Sequence, residues 1–398
     1  MPKGARHFLR NGRSYDEPDR MPSNISITNF DLLMYVVAIV GHLVDLGLDI
    51  NVAVRYSIAK NMVEFWWTLV FILLPAFVNT AVSIRMYAQD KQQEDSITNE
   101  FTKRKWLRIF ILVLQLAPIL RFTDALIYAM KSRRAARKQD TDAQHRYYGL
   151  MLKEDSDAAL LRVFECFLEA APQQVLQTTL LLRQYDHLAV HQALSIASSL
   201  VGTGWCLAAY QRAVRFAQRD KRNMRWPGSA LQTLWHFLVT LSRVVSLSAL
   251  AYLAPHWVVL AAALHIAAMT TWLQLYDRSP FCSHSALGQM CFSLALGAVY
   301  LFTYILPVEG RTRYRYSAYY SICLVQNVTC AALWYIYADD SMRSSVYFYP
   351  ILVLCVVPYV LGLVFMVIYY AFLHPKVMKE ICDVSVVFKQ DCEVAQVS

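Results

Sequence analysis

The sequence predicts an all-α polytopic membrane protein with eight transmembrane helices plus two re-entrant membrane hairpins, in two pseudo-symmetric repeats. Three observations predict it. Of 398 residues, 57% are apolar and only 17% are charged, where an ordinary soluble domain is roughly 25% charged. The apolar residues gather into ten runs, each near the length of about 20 residues that crosses a bilayer as a helix. The basic residues collect between those runs. Mean hydropathy is +0.32. Gly (12) and Pro (13) are too scarce for a collagen-like or low-complexity chain. The few charges and many aromatics exclude a disordered one. The net charge of +9 first suggests nucleic acid, but no nucleic-acid-binding motif is present and no such partner is expected.

Taken in order, residues 1–30 form an N-terminal cytoplasmic tail with Lys3, Arg6, Arg10, Arg13 and Arg20. Run 32–52 has no small-residue cleavage site behind it and reads as a retained signal anchor. Run 64–85 is a second span. Run 107–130 carries Pro118, Arg121 and Asp124 inside it and is the first re-entrant segment. Runs 158–183 and 188–209 complete a first repeat, 31–209. A cytoplasmic linker, 210–228, ends in Pro227-Gly228. Runs 229–252 and 257–276 open the second repeat, 229–373. Run 287–307 is its re-entrant segment, ending at Pro307 before Glu309 and Arg311. Runs 317–337 and 346–373 are the last spans, and 374–398 is a cytoplasmic C-terminal tail.

Loop charge chooses this topology. If all ten runs spanned, the basic loops 131–157 and 211–228 would both be extracellular, against the positive-inside rule. If 107–130 and 287–307 enter and leave on the cytoplasmic side, every Lys/Arg-rich loop falls inside. Both termini are then cytoplasmic. Non-helical backbone at membrane depth needs shielding by protein or a wet cavity.

Ionisable residues inside spans are costly and mark candidate sites. In DLLMYVVAIVGHLVDLGLDI, Asp31, Asp45 and Asp49 fall within about 40° of one another on a helix, over about 27 Å. In the fourth run, Glu165, Glu169, Gln173 and Gln177 advance by four and share one stripe. Arg162 opens that stripe within ion-pair reach of Glu165. Arg243, mid-way through the sixth run, is the expected cationic partner of the column, and Arg212 ends the fifth. The carboxylates outnumber the buried cations, which implies water or a polar guest. An ion pathway, a transporter site and a lipid-head-group track all fit, as does a set of helix-stapling pairs.

No phosphate-binding loop, zinc-protease or hydrolase motif is present, so no catalytic residues, cofactor or metal are expected. His187 and His191 lack a third ligand and read as solvated. The nine cysteines are odd in number and mostly inside apolar runs (Cys166, Cys206, Cys291, Cys323, Cys330, Cys355). Buried thiols are expected, with one disulfide at the outer face the alternative. Sequons at Asn24 and Asn327 are not expected to be glycosylated, being cytoplasmic and intramembrane respectively.

At LVDLGLDI (43–50), DAALLRVFECFLEAAPQQVLQ (157–177), AYQRAVR (209–215), VEGRTRYR (308–315) and YYAFLHP (369–375) the chain resembles the XK-related family. Tyr147-Tyr148 and Leu234-Trp235-His236 are most similar to its neuronal-type branch. The resemblance implies eight spans and two membrane-embedded hairpins in two similar halves. It implies phospholipid scrambling at the plasma membrane: energy-independent movement of phosphatidylserine between leaflets, switched on in apoptosis. The matching head-group pathway is Asp31, Asp45, Asp49, Asp157, Glu165 and Glu169, with Arg212 and Arg243 as basic counterparts. Some members carry an acidic residue where this chain has Ala209. Caspase cleavage in a terminal tail is a family theme, and Asp16-Glu17-Pro18-Asp19 fits its DxxD pattern, with Asp16 and Asp19 the candidates. An accessory membrane protein or a homodimer is the expected partner besides phospholipid. The alternatives are a non-scrambling membrane scaffold for a partner enzyme or lipid-transfer protein, and an ion or solute transporter.

Overall fold

Long apolar stretches in a medium without water leave the backbone one economical solution, the helix, and that is what the chain adopts. The computed structural model describes residues 27–92, 116–183, 190–217, 224, 226–282, 285–305 and 313–374. Among them there is no strand. The long helices are α1 (Asn29–Ile58), α2 (Met62–Gln92), α3 (Ala117–Arg137), α4 (Thr141–Glu165), α5 (Ala171–Arg183), α6 (Val190–Ala217), α7 (Trp226–Leu253), α8 (Pro255–Leu275), α9 (Ala286–Val299) and α10 (Arg313–Tyr337). A five-residue α11 (Asp340–Ser344) precedes α12 (Phe348–Ile368).

Among the described residues five helices are long and apolar enough to cross a membrane: α1, α2, α7, α8 and 348–373. The chain is a multi-pass, membrane-embedded helical protein. The expected spans 158–183, 188–209 and 317–337 are helical, as α4–α5, α6 and α10, but more polar. Only 6% of the most apolar window of α1 is buried in the protein. Leu33, Met34, Val36, Val37, Val40 and Leu43 are all exposed. An apolar surface of that extent requires lipid or a partner. By contrast α7 is the most enclosed of the five. It packs on α5, α6, α8, α10 and α12. Two glycines allow close approaches to it. A Cβ on Gly362 of α12 would come within 2.9 Å of Val239 Cγ2, and one on Gly204 of α6 within 2.9 Å of the Phe237 backbone. Small residues at such crossings let membrane helices pack backbone to backbone.

Three sequence expectations change in detail. The charged stretch 131–157, expected as a loop, is a helical hairpin. α3 ends at Arg137, Gln139 turns with a φ of 57°, and the Asp140 side chain caps α4 by accepting from Ala143 N at 3.0 Å. Pro118 does not break the middle of a run. It stands in the first turn of α3, where proline costs no hydrogen bond. Most of the described part of the linker is also helical, because α6 runs on to Ala217 and Pro227-Gly228 lie in the first turn of α7.

In the second re-entrant candidate α9 is a short apolar helix of 14 residues, about 21 Å. It is followed by a turn and by buried Phe302, Tyr304 and Ile305. The seven cysteines among the described residues are free thiols, with Cys291 exposed rather than buried. Asn327 is buried and bonded to Arg243 and Ser242. Residues 107–115, the candidates Pro307, Glu309, Arg311, Asp16 and Asp19, and the His187 and Asn24 readings lie outside the described residues.

Candidate functional site

The acidic face of α1 is turned toward α4. The helix starts at a capping box, in which Asp31 N donates to Thr28 Oγ1 at 3.2 Å. Thr28 N and Oγ1 in turn donate to Asp31 Oδ2 at 2.7 and 2.8 Å. Asp31 is therefore a structural cap as well as a charge at the end of the column. Three turns after Asp31, His42 Nδ1 lies 2.8 Å from Glu165 Oε1. Asp49 stands close enough to Glu169 and Gln173 to interact with both. Asp45, exposed, stands close enough to Glu165 and Arg162 to interact electrostatically with both. A cavity of about 50 Å³ lies among them, lined in part by His42, Asp49, Asn79, Pro118, Glu165 and Glu169. It has room for about one or two water molecules.

A π turn, Cys166–Ala170, joins α4 to α5 and carries Glu169. On an unbroken α-helix, residues four apart drift by about 40°. The extra residue of a π turn holds that drift back. Glu165, Glu169 and Gln173 thus keep facing α1. Gln177 is half-buried, one turn further along α5.

A second polar group is closed inside the protein. Arg121 Nη1 of α3 lies 2.7 Å from Glu154 Oε2 and 3.1 Å from Asp157 Oδ2. Its guanidinium carbon stands 3.8 Å from the centroid of the Tyr87 ring of α2. The Tyr87 hydroxyl donates to Asp124 Oδ2 at 3.1 Å. Two residues read as re-entrant markers, Arg121 and Asp124, are thus the partners that hold α2, α3 and α4 together. Asp157, read as a pathway residue, belongs to this group.

Other candidates go elsewhere. No ion pair joins Arg162 to Glu165 among the described residues. Arg162 is exposed, and Glu165 turns to His42 instead. Among the described residues Arg243 takes no carboxylate: Nε donates to Leu301 O at 3.0 Å and Nη1 to Asn327 Oδ1 at 2.8 Å, both in the second half of the chain. Arg212 lies against Trp226 and, with Asp31, lines a larger cavity. The sequence reading missed His42, Asn79, Tyr87, Glu154 and Asp155. His42 had a signal, since it stands three residues before Asp45 on the acidic face. Among the described residues no group of three His, Cys, Asp or Glu side chains is arranged to hold a metal.

The arrangement can pair charges across helices and admit small polar groups beside an apolar outer face. Comparison with known proteins agrees with the sequence motifs: the XK-related protein family model matches residues 33–375. The chain belongs to the XK-related family. It is 26% identical over 381 residues to Cell death abnormality protein 8 of Caenorhabditis elegans, covering 90% of this chain and 81% of that protein. Against the Caenorhabditis briggsae protein of the same name it is 26% identical over 382 residues, with the same coverage. The family match runs from residue 33, within α1, to just past the end of α12, so it takes in His42, Asp45, Asp49, Glu165, Glu169 and Gln173 of this XK-related chain.

Proposed function

We propose that this XK-related chain moves phospholipids, phosphatidylserine included, between the leaflets of the plasma membrane without energy input. No covalent step is involved, so it is a transporter-like protein and no enzyme. The observation that carries the reading is α1 itself. Its outer face is apolar and exposed, while its inner face sets His42, Asp45 and Asp49 against Glu165 and Glu169. Head groups cross hydrocarbon slowly because charge is costly there. A polar strip beside open lipid lowers that cost while acyl chains stay in the bilayer.

The topology that goes with this reading has eight spans and two re-entrant segments in two halves, with both termini cytoplasmic. The names of the two relatives support a link to cell death. Caspase cleavage between Asp16 and Arg20 is the proposed switch, and an accessory membrane protein or a second copy the proposed partner. The test is annexin V binding and fluorescent-lipid internalisation in cells lacking other scramblases, with and without an apoptotic stimulus. Asp49→Asn or Glu169→Gln should cut lipid exposure at unchanged surface level. Absence of lipid movement from folded, cleaved protein would overturn the proposal.

One observation favours a second reading, a non-scrambling membrane scaffold. Arg121 with Glu154 and Asp157, and His42 with Glu165, are already paired within the protein. Under that reading Asp49→Asn acts only through expression level.

A further inference from the structure

The turn that leads into α9 carries a pair of thiols away from the site described above. Cys282 ends a short 3-10 turn, Pro280–Cys282, and Cys291 lies in the second turn of α9. Both are free, Cys282 half-buried and Cys291 exposed. A Cβ added at Gly288 would lie 3.8 Å from Cys282 Cβ. Cys291 is three residues beyond Gly288 on the same side of the helix, where such Cβ positions are about 5–6 Å apart. The two thiols are near enough to act on each other electrostatically. The turn is also a junction. Arg85 Nε and Gln89 Nε2 of α2 both donate to Phe281 O, each at 3.0 Å. The Phe281 ring centroid is 5.1 Å from that of Phe292, and Phe292 is 6.2 Å from Phe164, the neighbour of Glu165. α9 packs as well on the π turn that carries Glu169. The thiols thus sit where the second half of the chain meets α2 and α4 of the first.

In the proposed topology this turn is cytoplasmic, where thiols are kept reduced and a disulfide forms transiently, as a redox signal. Burial holds the Cys282 thiol above its ordinary value and Arg85 only partly offsets that, so Cys282 rests protonated. Cys291 is the exposed member, and exposure decides which thiol an oxidant meets first. An exposed thiol beside a sheltered one has the form of an attacking and a resolving cysteine. We propose that Cys282 and Cys291 are a redox site, oxidised by hydrogen peroxide to a disulfide that clamps the start of α9 against α2 and α4. The Cys291 thiolate attacks one peroxide oxygen, the O–O bond breaks, and hydroxide leaves and takes up the thiol proton as water. Cys282 then attacks the sulfenic sulfur; the S–S bond forms, the S–O bond breaks, and a second water leaves. The two thiols lose two electrons and two protons, and the peroxide is reduced to two waters. A disulfide needs Cβ atoms about 3.5–4.5 Å apart, so closing it draws the 3-10 turn onto α9. Neither thiol belongs to the lipid path proposed above, and the site stands whether or not the chain moves lipid.

The test is a peroxide titration of the full chain in lipid nanodiscs, followed by denaturation, maleimide labelling and peptide mass spectrometry. Wild type should lose label at Cys282 and Cys291 together, yield a peptide pair linked through them, and regain both labels with dithiothreitol. Cys323 and Cys355, buried in the core, should stay reduced at the same dose. Cys282→Ser should leave Cys291 as a sulfenic acid that dimedone captures, and Cys291→Ser should leave Cys282 fully labelled. Amide exchange across Ala286–Phe292 and Cys166–Ala170 should slow severalfold on oxidation of wild type and stay unchanged in Cys291→Ser, a substitution at an exposed position. Loss of the two labels at different doses from folded wild type, with no linked peptide, would overturn the site. A linked peptide with unchanged exchange in both stretches would reject the clamp.

Discussion

His42 Nδ1 and Glu165 Oε1, 2.8 Å apart, fasten a helix that otherwise faces lipid to the end of α4. Their side chains are 9% and 15% exposed, so the contact is shielded but not dry. α1 packs on α2, α3 and this stretch with little apolar area of its own. Polar contacts therefore carry an unusual share of its docking.

His42→Leu should lower the unfolding midpoint of the purified protein, with a loss of about 1–3 kcal/mol from a carboxylate left without its partner. Glu165→Gln should cost less, because an amide still pairs with imidazole. In a double-mutant cycle the two changes should be less than additive. Strict additivity would mean that the contact contributes nothing.

Arg121 should be the least replaceable charge in the chain. It is buried between Glu154 and Asp157 and lies on the Tyr87 ring. Arg121→Met takes a buried cation away from two carboxylates, and breaking a buried pair costs about 3–5 kcal/mol. Lysine cannot reproduce the fork and the ring contact together. The expected result is loss of folded protein with either substitution, read by size-exclusion chromatography. Asp157→Asn should then reduce lipid movement only in proportion to folded protein. A lower rate per folded molecule would return Asp157 to the pathway.

Much of this was legible in the sequence. The spacing of Asp31, Asp45 and Asp49 placed one acidic face on α1, and the spacing of Glu165, Glu169 and Gln173 placed the facing stripe. The π turn left no trace, because four-residue spacing suits either helix type. Arg162 and Glu165 satisfied the rule for ion pairs along a helix, yet a histidine on another helix won the carboxylate, and sequence spacing says nothing of that. Glu154 and Asp155 were hidden in a stretch with no apolar rhythm. α4 packs on α3 there through Arg121–Glu154 as well as through Tyr128, Ala129 and Met151, and periodicity reads only apolar burial. Pro118 sat inside an apolar run whose composition could not tell where the helix begins.

Acid should loosen the connection between α10 and α11 first. Ser341 Oγ donates to Asp339 Oδ2 at 2.6 Å and the Tyr252 hydroxyl to Oδ1 at 2.7 Å. These bonds, the serine first, hold the Asp339 carboxyl below its usual value of 3.8. A depressed carboxylate contributes stability above its unfolded value and loses it as pH falls through the folded one. Because Asp339 is exposed, the effect is local and small. Amide exchange over Ala338–Ser345, corrected for intrinsic rates, should quicken between about pH 5 and about pH 3. Tyr252→Phe should shrink that difference. A flat corrected profile would show that the bonds do not hold the turn.

Arg243 should prove to be a backbone fastener and not a step on a lipid path. After α9 ends at Val299 the chain turns inside the protein, among buried Phe302, Tyr304 and Ile305, where a carbonyl without a donor is costly. Arg243 Nε donates to Leu301 O at 3.0 Å. The Tyr319 hydroxyl donates to Tyr300 O at 2.8 Å, and His265 Nε2 lies 2.9 Å from the same oxygen. The Tyr300 hydroxyl closes on Ile305 O. Asn327 is fixed between Arg243 and Ser242. Arg243→Met would strip the donor from both Leu301 O and Asn327 Oδ1, at about 1–3 kcal/mol for each buried group left unmet. Lysine can restore one bond at most, having no planar fork. Hydrogen exchange across Tyr300–Ile305 should rise in Arg243→Met and remain partly raised in Arg243→Lys. Lipid movement per folded molecule should be unchanged in the lysine variant. The opposite pattern, unchanged exchange with slower lipid movement, would place Arg243 beside the head group after all.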